Sequence, residues 1–266
     1  MRIVIVCGNN SNQKALADKV SSNFNVVGIV VENKKKKNFS FKDKIIRIWD
    51  GFKYFKIHYA WKKLMNHYQS IYPSFNNKNI KFVENINDKS VVPFVKNLEP
   101  DAIIVSGTRI IKAPFLEIKP KKGILNLHTG ISPYIKGGPN CTNWCISENK
   151  FHLIGNTIMW LDEGIDAGKI ITTEQTPLIG NESLFQIHLK VMDHGHDLYL
   201  RSIEVVRNNF ENCPSVSQKT IGKGKIYYTK MWRSREKKLL LENFKNFKNF
   251  KFNKRSSKLT LVQLPS

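Results

Sequence analysis

Residues 2–20, RIVIVCGNNSNQKALADKV, decide the fold. The short apolar run Arg2 to Cys7 suits a strand buried on both faces of a parallel sheet. Gly8, Asn9, Ser11 and Asn12 form a turn, and Lys14 to Val20 has helix-forming composition. A strand, a polar turn and a helix N-terminus together aim free backbone N–H groups and the positive end of the dipole at one point, the geometry that holds an anion. The spacing is neither a Walker loop nor GxGxxG. Two readings stay open here: Ser11 or Asn12 caps the helix, or the loop binds phosphate.

Downstream the pattern repeats. Residues 26–31, VVGIVV, predict a second buried strand. The crossover then breaks off at Lys34 to Lys37, and Asp43 to Gln69 reads as one helix in which Ile45, Ile48, Trp49, Phe52, Phe55 and Tyr59 recur at three- and four-residue steps between lysines. This is a candidate surface for RNA, membrane or a partner chain. The favoured reading is an insertion whose aromatic face packs on the domain and whose lysines face water. Alternation resumes with strand Ile80 to Val83, helix Val91 to Leu98 and strand Asp101 to Ser106. That strand ends in Gly107-Thr108-Arg109, at the sheet edge where α/β folds place ligands. Arg109 either holds an anionic ligand or pairs with a surface carboxylate. Later come strand Lys169 to Thr173 and helix Ser183 to Asn209, capped near Ser183. Its His188, His194 and His196 lack the spacing of a metal site and read as surface or supporting histidines. In the tail, Lys225 to Lys230 suggests a strand and Leu239 to Phe252 a helix. The fold class is therefore α/β: an open, mostly parallel sheet with helices on both faces, a helical basic insertion and a basic C-terminal extension. The boundaries expected are a catalytic domain at 1–210, containing the insertion 34–78, and an extension at 211–266.

Composition narrows the function classes. A 266-residue chain with 41% hydrophobic residues can bury a full core and is far from disordered composition. No apolar run is long enough for a membrane span, and the start lacks the features of a signal peptide. The cytoplasm is the expected location. Cys7, Cys141, Cys145 and Cys213 show no CxxC pattern and read as small buried thiols rather than metal or redox groups. The formal charge of +22 resides in two segments: 34–78 is net +10 and 219–258 is net +12, leaving the rest neutral. Such blocks attract phosphate-rich partners or anionic membrane, or are simply solvated, which is the favoured reading.

Chemistry concentrates in residues 123–168, GILNLHTGISPYIKGGPNCTNWCISENKFHLIGNTIMWLDEGIDAG. Ile124, Leu125 and Leu127 make a strand whose alternation projects Asn126 and His128 to one side. After a Gly/Pro-punctuated loop, a second strand-like run, Asn156 to Leu161, delivers Asp166. Acyl transfer to an amine needs proton transfers and a stabilised oxyanion. An imidazole serves the first, an amide N–H₂ the second, and a carboxylate orients the imidazole. The bland alternative is a capping Asn, a core His and a turn Asp.

NLHTGISPYIKGG followed by NTIMWLDEGIDAG resembles the tetrahydrofolate-dependent formyltransferases that act on glycinamide ribonucleotide, methionyl-tRNA or sugars. Their pattern is N-x-H-x-S-L-L-P-x-x-x-G, then a strand and D-x-G-x-D-x-G. Asn126, His128, Pro133, Gly137, Asp162, Gly164, Asp166 and Gly168 match it, over a resemblance covering about 1–210 apart from 34–78. The resemblance implies a Rossmann-like sheet, no metal, and Asn126, His128 and Asp166 as catalytic trio. It also implies that 10-formyltetrahydrofolate binds against Leu161, Asp162, Glu163 and Gly164 and near Arg109, Ile110 and Ile111. GNNSNQKAL is similar to the GNGSNLQAL loop that holds substrate phosphate, which implies a phosphate site at Asn10, Ser11 and Asn12. Departures lie on the acceptor side: Asn10 replaces a glycine, Gly195 stands where a gripping Glu is usual, Met159 replaces a histidine, and HTGISPYIKGGP is a remodelled loop.

The expected function is thus an N-formyltransferase acting on the primary amine of a phosphate-bearing small molecule, an amino-sugar nucleotide or a glycinamide-ribonucleotide-like compound. Formylation of a charged tRNA, a non-catalytic formyltransferase-like module and a formate-releasing hydrolase are the competing readings. Nucleic acid is a less favoured partner, and a homodimer is left open.

Overall fold

Apolar runs and amphipathic stretches alternate to build one seven-stranded sheet in the computed structural model, which describes residues 1–35, 38, 40–250 and 259–265. β1 (Arg2–Gly8), α1 (Ser11–Asn23) and β2 (Asn25–Glu32) form the first crossover unit. α2 (Phe41–Lys53) and α3 (Phe55–Ile71) intervene before β3 (Ile80–Val83), α4 (Val91–Asn97), β4 (Ala102–Ser106), α5 (Ala113–Leu116) and β5 (Ile124–His128). β6 (Ile135–Gly137), α6 (Cys141–Ser147), β7 (Gly155–Trp160), β8 (Ile170–Gln175) and α7 (Leu184–Asn208) follow. α8 (Gln218–Ile221), β9 (Lys225–Tyr227) and α9 (Ser234–Phe247) close the order.

The strands lie in the order β3-β2-β1-β4-β5-β7-β8. Neighbours from β3 to β5 pair in parallel, while β7 and β8 run antiparallel. Ile3, Val4, Ile5 and Val6 are covered on both faces, which explains why β1 is an unbroken apolar run. Leu16, Val20, Leu198 and Ile203 of α1 and α7 pack with Ile3, Ile5 and Ile29 on one face. Val91, Val95 and Phe115 of α4 and α5 pack with Val4, Val6 and Val30 on the other. The order reverses between β1 and β4, so a crevice opens beyond Gly8 and Ser106.

Several expectations need correction. The single helix expected over 43–69 is two, broken at Tyr54, which leaves helical geometry at φ −113° and ψ 31°. The two pack differently. Ile57, Leu64 and Tyr68 of α3 are buried, Leu64 and Tyr68 in a cluster with Ala15 and Met192, whereas α2 buries nothing. The aromatic face expected to pack on the domain is, in α2, the exposed one. α1 begins at Ser11, so the capping position is Asn10, whose side chain makes no capping hydrogen bond. His188 and His196 are not surface residues; both are buried in the body of α7. α9 ends at Phe247; Phe252, like Lys36 and Lys37, falls outside the described residues.

The C-terminal segment shares the main core. Tyr227, Leu240 and Phe247 lie in one cluster with Trp144, Phe151, Ile187 and Val191. β9 pairs with β6, and the Val262 N–H donates to Thr173 Oγ1 at 2.8 Å. Cys7, Cys141 and Cys145 are buried free thiols, and Cys213 is half-buried. Among the described residues no helix is long and apolar enough to cross a membrane.

Candidate active site

The crevice deepens into a cavity of about 670 Å³ that β5 enters with both candidate side chains. Asn126 and His128 line it, as their alternation along one strand requires, and Asp166 lines it from the loop after β7. His128 Nδ1 lies 3.2 Å from Asp166 Oδ2, and His128 Nε2 lies 3.0 Å from the Ile135 carbonyl. Both ring nitrogens therefore face acceptors, and only an imidazole carrying two protons donates to both. Cys141 approaches the same Nε2 at 3.7 Å while its thiol donates to the Gly137 carbonyl. Burial pushes that thiol well above its usual range, which makes it a poor nucleophile.

Asp166 is held from three sides. Its backbone sits at φ +45°, a left-handed conformation that aspartate tolerates better than most residues. The Gly137 N–H donates to Oδ2 at 2.8 Å, the contact shared with His128. Gln218 Nε2 donates to the carbonyls of Asp166 and Gly168, each at 2.7 Å. Gly137 has φ +85°, and a Cβ there would meet the Tyr227 carbonyl oxygen at 2.1 Å, so β9 reaches the site only against glycine. Asp166 Oδ1 takes no hydrogen bond from the described residues, which leaves one carboxylate oxygen for a ligand or a proton.

The expected cofactor residues divide. Arg109, Ile110, Ile111, Leu161, Asp162 and Gly164 line the cavity; Glu163 does not. Arg109 has a carboxylate partner, but a buried one: its N–H donates to Glu32 Oε2 at 2.9 Å, with Nη1 at 3.7 Å from Oε1 and bonded to the Glu84 carbonyl at 3.0 Å. Of the phosphate-loop residues, Asn10 and Asn12 line the cavity. Ser11 does not, because α3 lies over it and its hydroxyl donates to the Met65 carbonyl at 2.6 Å. The α1 N-terminus thus offers backbone N–H groups and amide side chains but no serine hydroxyl.

Sequence reading misses the walls supplied by the two additions. Trp61 of α3 and Tyr227, Tyr228 and Thr229 beside β9 all line the cavity. The aromatic pair in KIYY was the available signal; nothing in the sequence marks Gln218 or Trp61. His196 and Met192 line the deep end near Asn12 and Gln13. Desolvation holds His196 at about 3 and the neighbouring His188 at about 4, so both are neutral. Asn12 Oδ1, Gln13 Oε1 and His196 Nδ1 are buried without hydrogen-bond partners, so this end has neutral polar capacity unspent. Among the described residues no group of three or more His, Cys, Asp or Glu could hold a metal ion.

Comparison with known proteins identifies the family and the fold. Residues 1–203 match the family model described as Formyl transferase. A methionyl-tRNA formyltransferase of Fusobacterium nucleatum is 29% identical over 133 residues, 50% of this chain but 42% of that protein. The chain thus spans well under half the length of this curated relative. A phosphoribosylglycinamide formyltransferase structure from Bacillus halodurans superposes with a TM-score of 0.54 at 17% identity, covering 80% of this chain and 98% of that one. An N-formyltransferase of Helicobacter canadensis, solved with folinic acid and dTDP-3-aminofucose, gives 0.55 at 17% identity, covering 92% and 81%. At such identities these two likenesses concern the fold.

Proposed function

This chain belongs to the formyl transferase family, and from that premise we propose that it transfers a formyl group from 10-formyltetrahydrofolate to the primary amine of a phosphate-bearing small molecule. An amino-sugar nucleotide or a glycinamide-ribonucleotide-like compound is the acceptor class. The observation that carries the reading is the convergence of Asn126, His128 and Asp166 on one cavity, with His128 Nδ1 at 3.2 Å from Asp166. The fit to a folate rests on the wall between β4 and the loop after β7. It combines apolar Ile110, Ile111 and Leu161 with polar Arg109 and Asp162 and with Gly164.

When bound, 10-formyltetrahydrofolate supplies the formyl carbon. The Asn126 amide N–H₂ donates to the formyl oxygen as it gains charge, in a cavity where a fixed donor counts for more than in water. Asp166, through Oδ1, takes the proton that the attacking amine releases and returns it to the departing nitrogen, while His128 donates to Oδ2 and steadies the carboxylate. Leu161, Asp162 and Gly164 bind the donor from one side and Arg109, Ile110 and Ile111 from the other, with Glu163 outside the cavity. Backbone N–H groups at Asn10, Ser11 and Asn12 receive the acceptor phosphate. Residues 1–210 form the catalytic domain with the insertion at 34–78; 211–266 form an extension that completes the cavity wall through Tyr227 to Thr229. The cytoplasm is the proposed location.

Matched relatives include methionyl-tRNA formyltransferases, and the +22 charge suits nucleic acid, so aminoacyl-tRNA is the second acceptor reading. A screen of amine acceptors with 10-formyltetrahydrofolate, followed by cofactor deformylation, separates them. It includes glycinamide ribonucleotide, amino-dideoxysugar nucleotides and methionyl-tRNA. Turnover with a small phosphate-bearing amine supports the first reading; turnover with charged tRNA alone replaces it with the second. Deformylation that needs no acceptor would make the protein a hydrolase.

A further inference from the structure

α2 buries none of its residues and meets the body through a polar contact near its C-terminus. Asp50 accepts from Lys237 of α9 at 2.7 Å and lies 3.0 Å from His58 of α3. Ser40 and Asp43 close a capping box at its N-terminus. The apolar side faces out: Phe41 is 79% exposed, Trp49 71% and Phe52 77%, with Ile45 and Ile48 exposed beside them. Phe41, Ile45, Ile48, Phe52, Phe55 and Tyr59 alternate four- and three-residue steps, so one stripe continues from α2 onto the first turns of α3. Phe55 and Tyr59 stack at 5.3 Å on that stripe. Projected around the helix, Lys42 and Lys53 border the stripe on one side and Lys44 on the other, while Asp43 and Asp50 fall opposite. Globular packing ordinarily buries the apolar face of such a helix; here it is left exposed along with the lysines that flank it.

We propose that this stripe docks on the surface of an anionic lipid bilayer, with α2 lying in the plane of the headgroups. The side-chain order matches that environment. Ile and Phe enter the acyl boundary, Trp49 and Tyr59 sit at the interface where aromatic rings concentrate, and the flanking lysines reach anionic headgroups. Residues 34–78 carry a formal net charge of +10, which supplies the complementary attraction. A second copy fits less well, because self-pairing along this seam sets Lys42, Lys44 and Lys56 against like charges. The break at Tyr54 also interrupts the straight seam that a coiled-coil partner needs. Nucleic acid would use the lysines but leave the Ile and Phe side chains in water. The attachment is peripheral, since among the described residues no helix can span a membrane.

Co-sedimentation of the full chain with vesicles tests this, using phosphatidylcholine alone and an equimolar mixture of phosphatidylcholine and phosphatidylglycerol. The chain should sediment with the mixed vesicles, remain in solution with phosphatidylcholine alone, and be released by salt. Phe52→Asp, at an exposed position, should weaken vesicle binding about tenfold or more, and Lys42→Glu about fivefold. Circular dichroism and an unchanged thermal midpoint verify that each variant is folded. Absence of binding to the mixed vesicles overturns the proposal, as does equal binding by folded Phe52→Asp. Equal binding to both compositions also overturns it. A concentration-dependent dimer that Phe52→Asp abolishes assigns the stripe to a second copy, and RNA binding that it abolishes assigns it to nucleic acid; either replaces the bilayer. The assay involves no formyl transfer, so its failure leaves the proposed reaction standing.

Discussion

His128 and Asp166 meet at 3.2 Å because the loop bearing Asp166 is pinned in place. Asp166→Asn keeps the shape and the Gly137 contact but removes the charge, so single-turnover formyl transfer should fall by about 10²–10⁴-fold, with folate affinity measured by fluorescence quenching nearly unchanged. Gln218 acts one step further out, as a positioning residue. Gln218→Ala leaves the Asp166 and Gly168 carbonyls unpaired near the site, a loss of about 1–3 kcal/mol. Stopped-flow assays should then show kcat falling more than folate KM rises. Deeper in the cavity, desolvation keeps His196 at about 3 against its ordinary 6.5. The unfolded chain binds a proton at that ring below pH 6.5 and the folded chain does not, so the folded state loses stability as pH falls from 6.5 toward 3. The wild-type thermal midpoint should drop across that window. Replacing the ring by His196→Gln should flatten its share of the drop, on the order of a few kcal/mol at the acid end.

Among the elements, α7 shows how packing overrides local propensity. Gly195 lies in mid-helix, where alanine ordinarily gains about 1 kcal/mol. Here a Cβ would meet Asn156 Oδ1 at 2.8 Å. Asn156 cannot retreat, because it is buried in β7 and its Nδ2 is bonded to the Val191 carbonyl at 3.0 Å. Overpacking of about 1–3 kcal/mol outweighs the propensity gain, so Gly195→Ala should lower the urea midpoint. A glutamate at this position has no room either, which gives a physical reason for its absence. α7 was otherwise readable: Ser183 caps the helix as its sequence suggests, in a capping box with Gln186. α2 and α3 were half readable. Their shared periodicity is visible in the sequence, but the break at Tyr54 is not, and neither is the fact that α3 buries its opposite face, Ile57, Leu64 and Tyr68, while α2 buries nothing.

For the whole molecule, residues beyond 210 are part of one folding unit. Tyr227 is 1% exposed, with its ring 4.4 Å from that of Trp144, and it links the tail to the cavity. Tyr227→Ala should cost about 3–5 kcal/mol in chemical denaturation and slow formyl transfer, since β9 supports Gly137 and thereby Asp166. Unbroken apolar runs such as RIVIVC determined the parallel sheet by themselves, because a strand covered on both faces tolerates little else. Asn126 and His128 were fixed to one side by the alternation of a strand, and their match to a family pattern picked out Asp166. Only the tertiary structure decided that α3 roofs the loop after β1 and takes up Ser11, that Gln218 holds Asp166, and that Trp61 and Tyr228 complete the cavity. Those contacts join segments far apart in the chain, and they depend on how layers pack rather than on any local period. It also decided that the apolar side of α2 is left uncovered, since an amphipathic helix reads the same in sequence whichever face it turns to the body.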